Sequence, residues 1–314
     1  MTRVLVRRVL TLIPVVIGIV LITFLALRLV PGDIVDVILF DQYDEEVAAR
    51  LRTLFGLDLP IHEQLQRWTA DLLRGDLGTS LRTGQPVIHE INRRFPATLE
   101  LALGAVLLSL LIAVPAGVIS ATKRNTWWDY VSRFASLVGL SVPNFFLAII
   151  LILLFAVTWR VLPSGGYKPL SEGLWVHLRH VILPVITLGT SMAAVTMRMT
   201  RSSMLEVLGE DYVRTARAKG LYPAQVTFGH AFRNALIPVV TVVGIQLGAL
   251  LGGAVVVEKV FSWPGLGTLV VDSIMARDYP VVQAAVMFLA LFFVVANLLV
   301  DLTYMVLSPR LRNG

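Results

Sequence analysis

Six long apolar runs, separated by polar segments, dominate the hydrophobic pattern of the chain. They cover residues 9–30, 97–121, 134–158, 181–197, 235–257 and 282–307. A helix rises about 1.5 Å per residue, so about 20 apolar residues cross a hydrocarbon layer about 30 Å thick. The pattern therefore predicts an all-α polytopic membrane protein with six transmembrane helices.

The first run is predicted to be an uncleaved transmembrane helix, covering residues 1–30 with its flanking arginines. Arg3, Arg7 and Arg8 precede the run, which ends in Ala-Leu-Arg-Leu-Val-Pro. A cleavable signal peptide has a shorter apolar region and a small-x-small exit. The sequence lacks that exit, so the segment is expected to stay in the protein.

The polar segment 31–96 predicts a small extracytoplasmic domain between the first two transmembrane helices. Short helices are expected at 45–54 and 62–73, with turns at Gly75-Asp76 and Thr83-Gly84. The alternative is a solvated loop that only shields the mouth of the membrane part. Residues 97–307 would then form a five-helix core, with a cytoplasmic loop at 198–234 and a tail at 308–314.

The distribution of basic residues predicts the orientation of the spans. With both termini in the cytoplasm, the two short external loops carry only Arg160, Lys168, Arg179, Lys259 and Arg277. The cytoplasmic segments would carry a larger set: Arg3, Arg7, Arg8, Lys123, Arg124, Arg133, Arg198, Arg201, Arg214, Arg217, Lys219, Arg233, Arg310 and Arg312. Short cytoplasmic loops carry such an excess in membrane proteins.

Composition agrees with a membrane protein and reduces the list of possible functions. Of the 314 residues, 56% are hydrophobic and 15% are charged, and the mean hydropathy is +0.76. The net charge of +6 is explained by the cytoplasmic loops, so no nucleic-acid partner is expected. With no cysteine in the sequence, disulfides, iron–sulfur clusters and thiolate zinc sites are excluded.

No catalytic motif or metal site is expected in this chain. There is no Gly-Lys pair and hence no phosphate-binding P-loop, and there is no His-Glu-x-x-His pattern. All five histidines lie outside the predicted spans, which argues against an intramembrane protease. His177 and His180 are one helical turn apart, but an interfacial helix explains them better than a metal pair.

Polar residues inside the predicted spans suggest a path for a polar solute. Asp301, near the cytoplasmic end of the last span, is the ionisable candidate for an ion relay, although pairing with a nearby arginine explains it better. The milder residues Asn144, Thr187 and Gln246 suit a translocation path, although hydrogen bonds between helices explain each of them as well. Asp301 would be the proton site of a gradient-driven carrier, the second class of function considered.

Glycines recur every fourth residue in the fifth span, at Gly244, Gly248 and Gly252. Small residues let two helices approach closely in a bilayer. The pattern predicts a helix–helix contact, either within the chain or with a second membrane subunit.

The basic stretch 210–238 is the polar segment most suited to meet a partner. Glu210 and Asp211 supply acids where a helix would begin, Lys219 lies at its end and Gly220 can close it. This charge order follows the helix dipole and predicts a short helix over 211–219. Tyr212 and Ala216 lie one turn apart, where small Ala216 would admit another surface. A solvated amphipathic loop on the membrane surface is the alternative.

The residues of this stretch resemble the cytoplasmic signature loop of ABC importer permeases of the oligopeptide and dipeptide type. The resemblance is carried by Tyr-Val-Arg-Thr-Ala-Arg-Ala-Lys-Gly at 212–220 and by His-Ala-Phe-Arg-Asn-Ala-Leu-Ile-Pro at 230–238. The general family pattern begins Glu-Ala-Ala, whereas this chain has Arg214-Thr215-Ala216. The acidic first position is therefore missing.

Further motifs extend the resemblance to the first permease subunit over nearly the whole chain. They are Pro31-Gly32-Asp33, Gly-Asp-Leu-Gly-Thr-Ser at 75–80, Pro-Ala-Thr-Leu-Glu-Leu at 96–101, Phe-Ser-Trp-Pro-Gly-Leu-Gly at 261–267, Arg-Asp-Tyr-Pro at 277–280 and Asn-Leu-Leu-Val-Asp at 297–301. Their order and spacing are specific for the family and weakly specific for the substrate.

The resemblance implies the ABC type I importer permease fold and a non-catalytic role in the bacterial cytoplasmic membrane. ATP and Mg would be used by two partner ATP-binding subunits or domains, with no cofactor on this chain. A homologous second permease and an extracytoplasmic peptide-binding protein are the other implied partners. The ATPase would contact Asp211, Tyr212, Arg214, Thr215, Ala216, Arg217, Lys219 and Gly220.

The resemblance also implies an extracytoplasmic mouth and a substrate class. Phe261, Trp263, Pro264 and Gly265 would form part of the mouth, although tight bends with Trp263 as a membrane-interface anchor explain this turn too. The expected cargo is di- or oligopeptides, with glutathione or nickel chelates as alternatives. A membrane scaffold or receptor, which binds without transport, is a third class of function.

Overall fold

The computed structural model describes residues 2–28, 32–39 and 44–307, and the regular structure of these residues is helical apart from one antiparallel bridge between Thr79 and Pro86. The predicted tail 308–314 lies outside the described residues, as does the side chain of Asp301. The α-helices are α1 (Thr2–Arg28), α2 (Ile34–Ile38), α3 (Glu45–Leu54), α4 (Ile61–Leu73), α5 (Val87–Thr122), α6 (Trp127–Ser141), α7 (Asn144–Leu151), α8 (Leu174–Leu208), α9 (Asp211–Ala218), α10 (Phe232–Val260), α11 (Leu266–Met275) and α12 (Tyr279–Leu307).

Long apolar helices confirm the predicted all-α membrane fold. Within the described residues, the stretches long and apolar enough to cross a membrane are Val87–Thr122, Leu174–Leu208, Gln225–Gly248 and Tyr279–Val300. The pair α6 and α7, with the π-helical turn Ile152–Thr158 that follows, adds a bent fifth candidate. The first predicted span, 9–30, overlaps α1, in which Ile13–Ala26 is a shorter apolar helix of the described residues. Residues 29–30 lie outside the described residues.

The third predicted span is not one straight helix. Its two halves, Trp127–Ser141 and Asn144–Thr158, meet at an angle of 101°. The break falls at Val142 and Pro143, which have extended backbones with ψ of 119° and 141°. Proline disfavours a helical conformation for the residue before it and lacks the N–H that would continue the helix.

Two compact units divide the chain. The first comprises 1–97 and 264–292, and the second comprises 98–263 and 293–314. The core of the first unit combines the start of α5 with α11 and α12. Its buried residues are Val87, Ile91, Leu266, Leu269, Val281, Ala284 and Ala285. The compact unit that contains 44–96 therefore also includes α11 and the first half of α12.

A network of charges joins distant motifs inside the first unit. Asp33 caps α2 and forms a capping box with Asp36. Arg52 donates to both carboxylates, at 2.8 Å to Asp33 and 3.0 Å to Asp36. Arg277 Nη1 lies 3.4 Å from Asp36 Oδ2 and 3.3 Å from the backbone carbonyl oxygen of Asp33. The Pro-Gly-Asp and Arg-Asp-Tyr-Pro motifs thus meet in one structural cluster.

The next residue of the second motif, Asp278, ties down the Gly-Asp-Leu-Gly-Thr-Ser segment. Its carboxylate accepts from Ser80 Oγ at 2.5 Å and from the backbone N–H of Leu81 at 3.1 Å. Asp278 is buried, and a buried carboxylate needs such donors. The contacts give three of the sequence motifs a structural role in the first unit.

In the second unit, glycines allow close helix packing. A Cβ on Gly117 of α5 would lie 2.6 Å from the side chain of Thr200 on α8. On α10, a Cβ on Gly244 would lie 2.8 Å from Val300, and one on Gly248 would lie 2.2 Å from the ring of Phe293. The first two glycines of the predicted stripe therefore pack against α12 of the same chain. The surroundings of Gly252, the third glycine of the stripe, lie outside what the structure describes.

We expect Gly32→Ala to destabilise the protein more than Gly75→Ala. Both glycines have left-handed backbones, with φ of +85° and +81°, but only at Gly32 would a Cβ collide with a neighbour, 1.9 Å from Arg277 Nη1. The strain alone costs about 1–2 kcal/mol, and the collision adds to it. Thermal unfolding of the purified protein in detergent measures the difference. Equal melting temperatures for the two variants would contradict the described packing of Gly32.

Candidate functional site

The candidate site is α9, which spans Asp211–Ala218 and matches the predicted helix 211–219 to within one residue. Glu210 precedes it with an extended backbone. At its end Gly220 is left-handed with φ +78°. The N–H of Gly220 donates to Arg217 O at 2.9 Å, and that of Leu221 donates to Ala216 O at 3.4 Å. These bonds form the Schellman motif, which ends helices at a glycine.

Two side chains hold α9 against the membrane helices. Val213 is fully buried and Ala216 is 7% exposed, and their spacing of three puts them on one face of the helix. They belong to a cluster that joins α5, α8, the π-helical turn Gln225–Ala231 and α10. The buried members of this anchor cluster are Val118, Ala121, Met204, Val213, Ala216, Val226, Ala231 and Ala235.

The opposite face of α9 is polar and open. The exposed residues of α9 are Asp211, Tyr212, Arg214, Thr215, Arg217 and Ala218, and the following Lys219 and Gly220 are exposed as well. Arg214 pairs with Asp211 at 2.6 Å, and the Thr215 hydroxyl donates to the Asp211 carbonyl at 2.9 Å. Tyr212 Oη accepts from Asn234 Nδ2 at 2.8 Å, which ties α9 to the start of α10. A surface of both charges and one aromatic ring suits a protein partner.

The sequence interpretation grouped Tyr212 with Ala216 as a surface for an outside partner. In the structure Tyr212 is 42% exposed, whereas Ala216 faces the anchor cluster of its own chain. The small size of Ala216 therefore serves the close approach of α9 to α5, α8 and α10. Whether Ala216 also touches an ATPase stays a prediction.

A buried ion pair fixes the helices beside the anchor cluster. Asp129 of α6 is fully buried and accepts two bonds from Arg201 of α8, from Nε at 2.8 Å and from Nη2 at 3.0 Å. Ser120 of α5 donates to the same carboxylate at 2.7 Å, and the N–H of Asn125 donates at 3.1 Å. The carboxylate of α6 thus accepts hydrogen bonds from two other helices and one turn.

Sequence reasoning missed this pair because its members are 72 positions apart. Arg201 was counted only as one of the basic residues of a loop, and Asp129 lies just before the third predicted span. One local signal could have identified Asp129: it is an acidic residue placed directly before an apolar run.

The three predicted path residues have different surroundings. Gln246 of α10 donates to Thr196 Oγ1 of α8 at 2.9 Å, so it makes the interhelical hydrogen bond that was its alternative explanation. Thr187 is buried and donates to Leu183 O of its own helix. Asn144 is half-buried at the start of α7. Among the described residues, no hydrogen bond joins these three to one another.

Sequence reasoning also missed two polar residues that extend the Gln246 bond. Thr196 accepts from Gln246 and also from Ser109 Oγ of α5, at 3.4 Å. The chain of three side chains connects α5, α8 and α10 within their apolar stretches. Small hydroxyl residues are too common in membrane helices to stand out from the sequence alone.

Glu100, inside the second predicted span, was overlooked as an ionisable residue. Its carboxylate pairs closely with His177 Nε2, whose Nδ1 donates to Lys168 O at 2.7 Å. Both ring nitrogens are therefore engaged, and His177 is not available to bind a metal. Within the described residues, no group of three or more potential ligands could hold a metal ion.

Tyr167 completes this region, with its ring edge-on to that of Trp263 at 4.8 Å. Burial raises the pKa of the Tyr167 phenol, and the charge of Glu100 raises it further. The phenol therefore stays protonated at neutral pH.

The predicted mouth residues Phe261 and Trp263 are in the interior of the second unit, each 1% exposed. The carbonyl of Phe261 accepts from Gly166 N–H at 2.7 Å, and Trp263 N–H donates to Glu258 O at 2.7 Å. Trp263 is thus a packing residue and does not anchor at a membrane interface. In the first unit, Pro264 is half-buried and Gly265 is buried just before α11.

Two family descriptions match nearly the whole chain. "Binding-protein-dependent transport system inner membrane component" matches residues 113–313. The corresponding N-terminal description, of a membrane component of the same systems, matches residues 1–102.

Curated relatives align over the full length. The dipeptide transport system permease protein DppB of Alkalihalophilus pseudofirmus is 44% identical, covering 98% of each chain. The glutathione transport system permease protein GsiC of Salmonella paratyphi A is 43% identical, covering 98% of this chain and 97% of its own. Thus relatives with different cargoes are about equally similar to this chain.

A solved structure shares the fold. The MetNI methionine ABC transporter in an inward-facing conformation matches with a TM-score of 0.58 and 20% identity, over 70% of this chain and 97% of its own. The expected type I importer permease fold is confirmed.

We expect Ala216→Leu to loosen α9, while Thr215→Leu on the neighbouring exposed position leaves it in place. Overfilling a packed site costs about 1–3 kcal/mol, and Ala216 is 7% exposed within the anchor cluster. Hydrogen exchange of the amides at 211–220 measures the loss, with Thr215→Leu as the size-matched control. Equal protection in the two variants would mean that Ala216 does not hold the helix.

We expect Asp129→Ala to destabilise the protein by about 3–5 kcal/mol, because it leaves Arg201 without its buried acid. The double variant Asp129→Leu with Arg201→Met removes both charges and should recover part of the loss. Thermal unfolding in detergent compares the two variants. A double variant less stable than Asp129→Ala would contradict the assignment of the cost to the unpaired charge.

Proposed function

Because this chain belongs to the inner membrane components of binding-protein-dependent transport systems, we propose that it is a permease subunit of an ATP-driven importer for di- or oligopeptides. The observation that carries the proposal is the 44% identity to a dipeptide permease over 98% of each chain. ATP hydrolysis is assigned to partner subunits, since the sequence has no P-loop.

In this proposal α9 is the coupling helix. The exposed Asp211, Arg214, Thr215 and Lys219 offer polar contacts to a groove on the ATPase, with Tyr212 at the edge of the same face. Val213 and Ala216 fix the helix to α5, α8 and α10 through the anchor cluster. Closure of the ATPases on ATP would then move α9 together with the membrane helices. Coupling requires a mechanical connection between the nucleotide site of the ATPase and membrane helices that can adopt two conformations.

The proposed assembly contains several chains besides this one. A homologous second permease completes the passage, two ATP-binding subunits or domains bind ATP and Mg, and an extracytoplasmic protein delivers the peptide. Both termini and the loop 198–234 are assigned to the cytoplasm from the distribution of basic residues. Residues 31–96 are then assigned to an extracytoplasmic domain. The turn from Phe261 to Gly265 is assigned to the extracytoplasmic mouth, where the buried Phe261 and Trp263 would shape the turn without lining its surface.

For the translocation path we propose the polar residues of the membrane helices. Gln246 and Asn144 are partly exposed, and Thr187 is a weaker candidate because it is buried. The buried Thr196 and Ser109 hold Gln246 through a chain of hydrogen bonds. Neutral side chains would let a peptide pass without holding it tightly. The ionisable residues Glu100 and Asp129 already have partners in His177 and Arg201, so neither of them suits a proton relay.

Glutathione is the second candidate substrate, because a glutathione permease is 43% identical to this chain. Nickel chelates are a third. The external binding protein is expected to set the choice. Uptake of labelled dialanine into cells expressing the complete system, with competition by longer peptides, glutathione or chelated nickel, distinguishes these substrates. No uptake of dialanine, together with uptake of labelled glutathione by the same cells, would reject the peptide assignment.

We expect the double variant Arg214→Glu with Lys219→Glu to reduce peptide uptake about tenfold or more, because reversed charges repel a partner surface built for the native ones. ATP hydrolysis by the purified complex in liposomes should also lose its stimulation by loaded binding protein. The control is Lys123→Glu with Arg124→Glu, which changes the charge equally on exposed residues of the turn after α5, on the proposed cytoplasmic side but outside α9.

Unchanged stimulation and uptake in the Arg214 and Lys219 variant would contradict the role of α9. A gradient-driven carrier predicts another result, namely loss of uptake when a protonophore is added at constant ATP. In that case Asp301→Asn should abolish uptake as well.

A further inference from the structure

A basic groove lies between α6 and α8 in the second unit, and the proposed function does not use it. Its α6 side includes Tyr130, Arg133, Phe134 and Leu137, with Ser136 between the last two. The spacing of three, one and three places these residues on one face of the helix. Arg198 and Ser202 line the α8 side, one turn apart.

The groove carries an excess of positive charge. Arg201, which also lines it, is neutralised by Asp129. Arg133 and Arg198 are exposed and have no ion pair or side-chain hydrogen bond with any described residue. Among the described residues that line the groove, none is acidic. Two free guanidinium groups on facing helices attract an anion, and arginine binds phosphate well through its planar array of donors.

The position of the groove along α8 is that of a membrane–water boundary. The apolar run 181–197 ends where Arg198 begins a polar stretch. The neighbouring helix α6 makes an angle of 101° with the helix Asn144–Thr158 that follows it. The two helices therefore cannot both run along the membrane normal.

The start of α6 has the features of an interfacial helix. Trp127 and Trp128 are 74% and 57% exposed, and Lys123 Nζ lies 5.7 Å from the ring centre of Trp128. Tryptophan and basic side chains collect at the level of the lipid headgroups.

Next to the two arginines, the groove has exposed apolar side chains. Phe134 is 68% exposed and Leu137 is 60% exposed. Arg133 and Phe134 are adjacent in sequence, so a molecule with an anionic head and an apolar tail would satisfy both parts of this surface. A free phosphate ion would leave the apolar part uncovered.

We propose that this groove binds one anionic phospholipid. Arg133 and Arg198 bind the phosphate from opposite helices, and the Ser202 hydroxyl donates a further hydrogen bond. An acyl chain lies along Phe134 and Leu137. Basic pockets between transmembrane helices are suited to anionic headgroups, whereas a zwitterionic lipid offers no net charge to the two arginines. The lipid would thereby link α6 to α8 beside the ion pair of Asp129 and Arg201.

The test uses the full chain in its assembled complex, purified in detergent and stripped of lipid. The probe is a fluorescent short-chain phosphatidylglycerol, and its binding is followed by anisotropy without nucleotide. Each basic side chain near an anionic headgroup strengthens binding several-fold. Removing two of them in Arg133→Gln with Arg198→Gln should therefore weaken binding roughly thirtyfold. The control Arg124→Gln with Arg233→Gln removes two exposed cations of the same unit outside the groove and should change binding less than about twofold.

Retained binding in Arg133→Lys with Arg198→Lys would support a site that depends on charge, and size-exclusion profiles check that every variant is assembled. Three results would overturn the proposal: equal affinity in the Gln variant and the parent, full displacement of the lipid by millimolar inorganic phosphate, or equal affinity for a phosphatidylcholine probe. Cross-linking from Phe134 to another subunit would also overturn it, because the groove would then be covered by protein. Since no transport is measured, a failure here leaves the proposed function untouched.

Discussion

The packing of two small side chains, Val213 and Ala216, determines what α9 can do. A helix of eight residues is too short to be stable by itself in water, and its outer face is polar. Buried contacts with α5, α8, the π-helical turn and α10 supply the missing stability. Because these contacts reach several long helices, a displacement of α9 must either carry those helices along or break the cluster. The exposed face thereby becomes a surface through which a partner can act on the membrane region.

A buried ion pair also holds together the helices beside the anchor cluster in the second unit. Asp129 and Arg201 place a salt bridge between α6 and α8, with Ser120 adding α5. A buried pair costs desolvation on both sides, so its contribution is to geometry more than to net stability. The first unit uses another charge network, in which Arg52 and Arg277 bind Asp33 and Asp36. The acidic and basic residues of the sequence motifs are used there to hold segments together.

The sequence predicted the helical spans and the limits of α9, because apolar run length, helix dipole and a closing glycine are local signals. It could not predict the break at Val142 and Pro143 as a bend of 101°, since proline permits many angles. It also placed Ala216 on the outer face and missed Asp129, Arg201, Glu100 and Thr196 as partners. Those roles depend on contacts between residues far apart in sequence. Trp263 was misread for the same reason, because an interfacial and a buried tryptophan look alike in a sequence.

If α9 is the coupling helix, it must move as one body with α10 through the anchor cluster. Spin labels on exposed Thr215 of α9 and exposed Ile245 of α10 report the distance between the two helices by pulsed electron paramagnetic resonance. In the assembled complex, we expect one narrow distance distribution that is the same without nucleotide and with trapped ATP. A distribution that shifts or broadens by several ångströms on ATP binding would show that α9 moves independently, and would contradict the account.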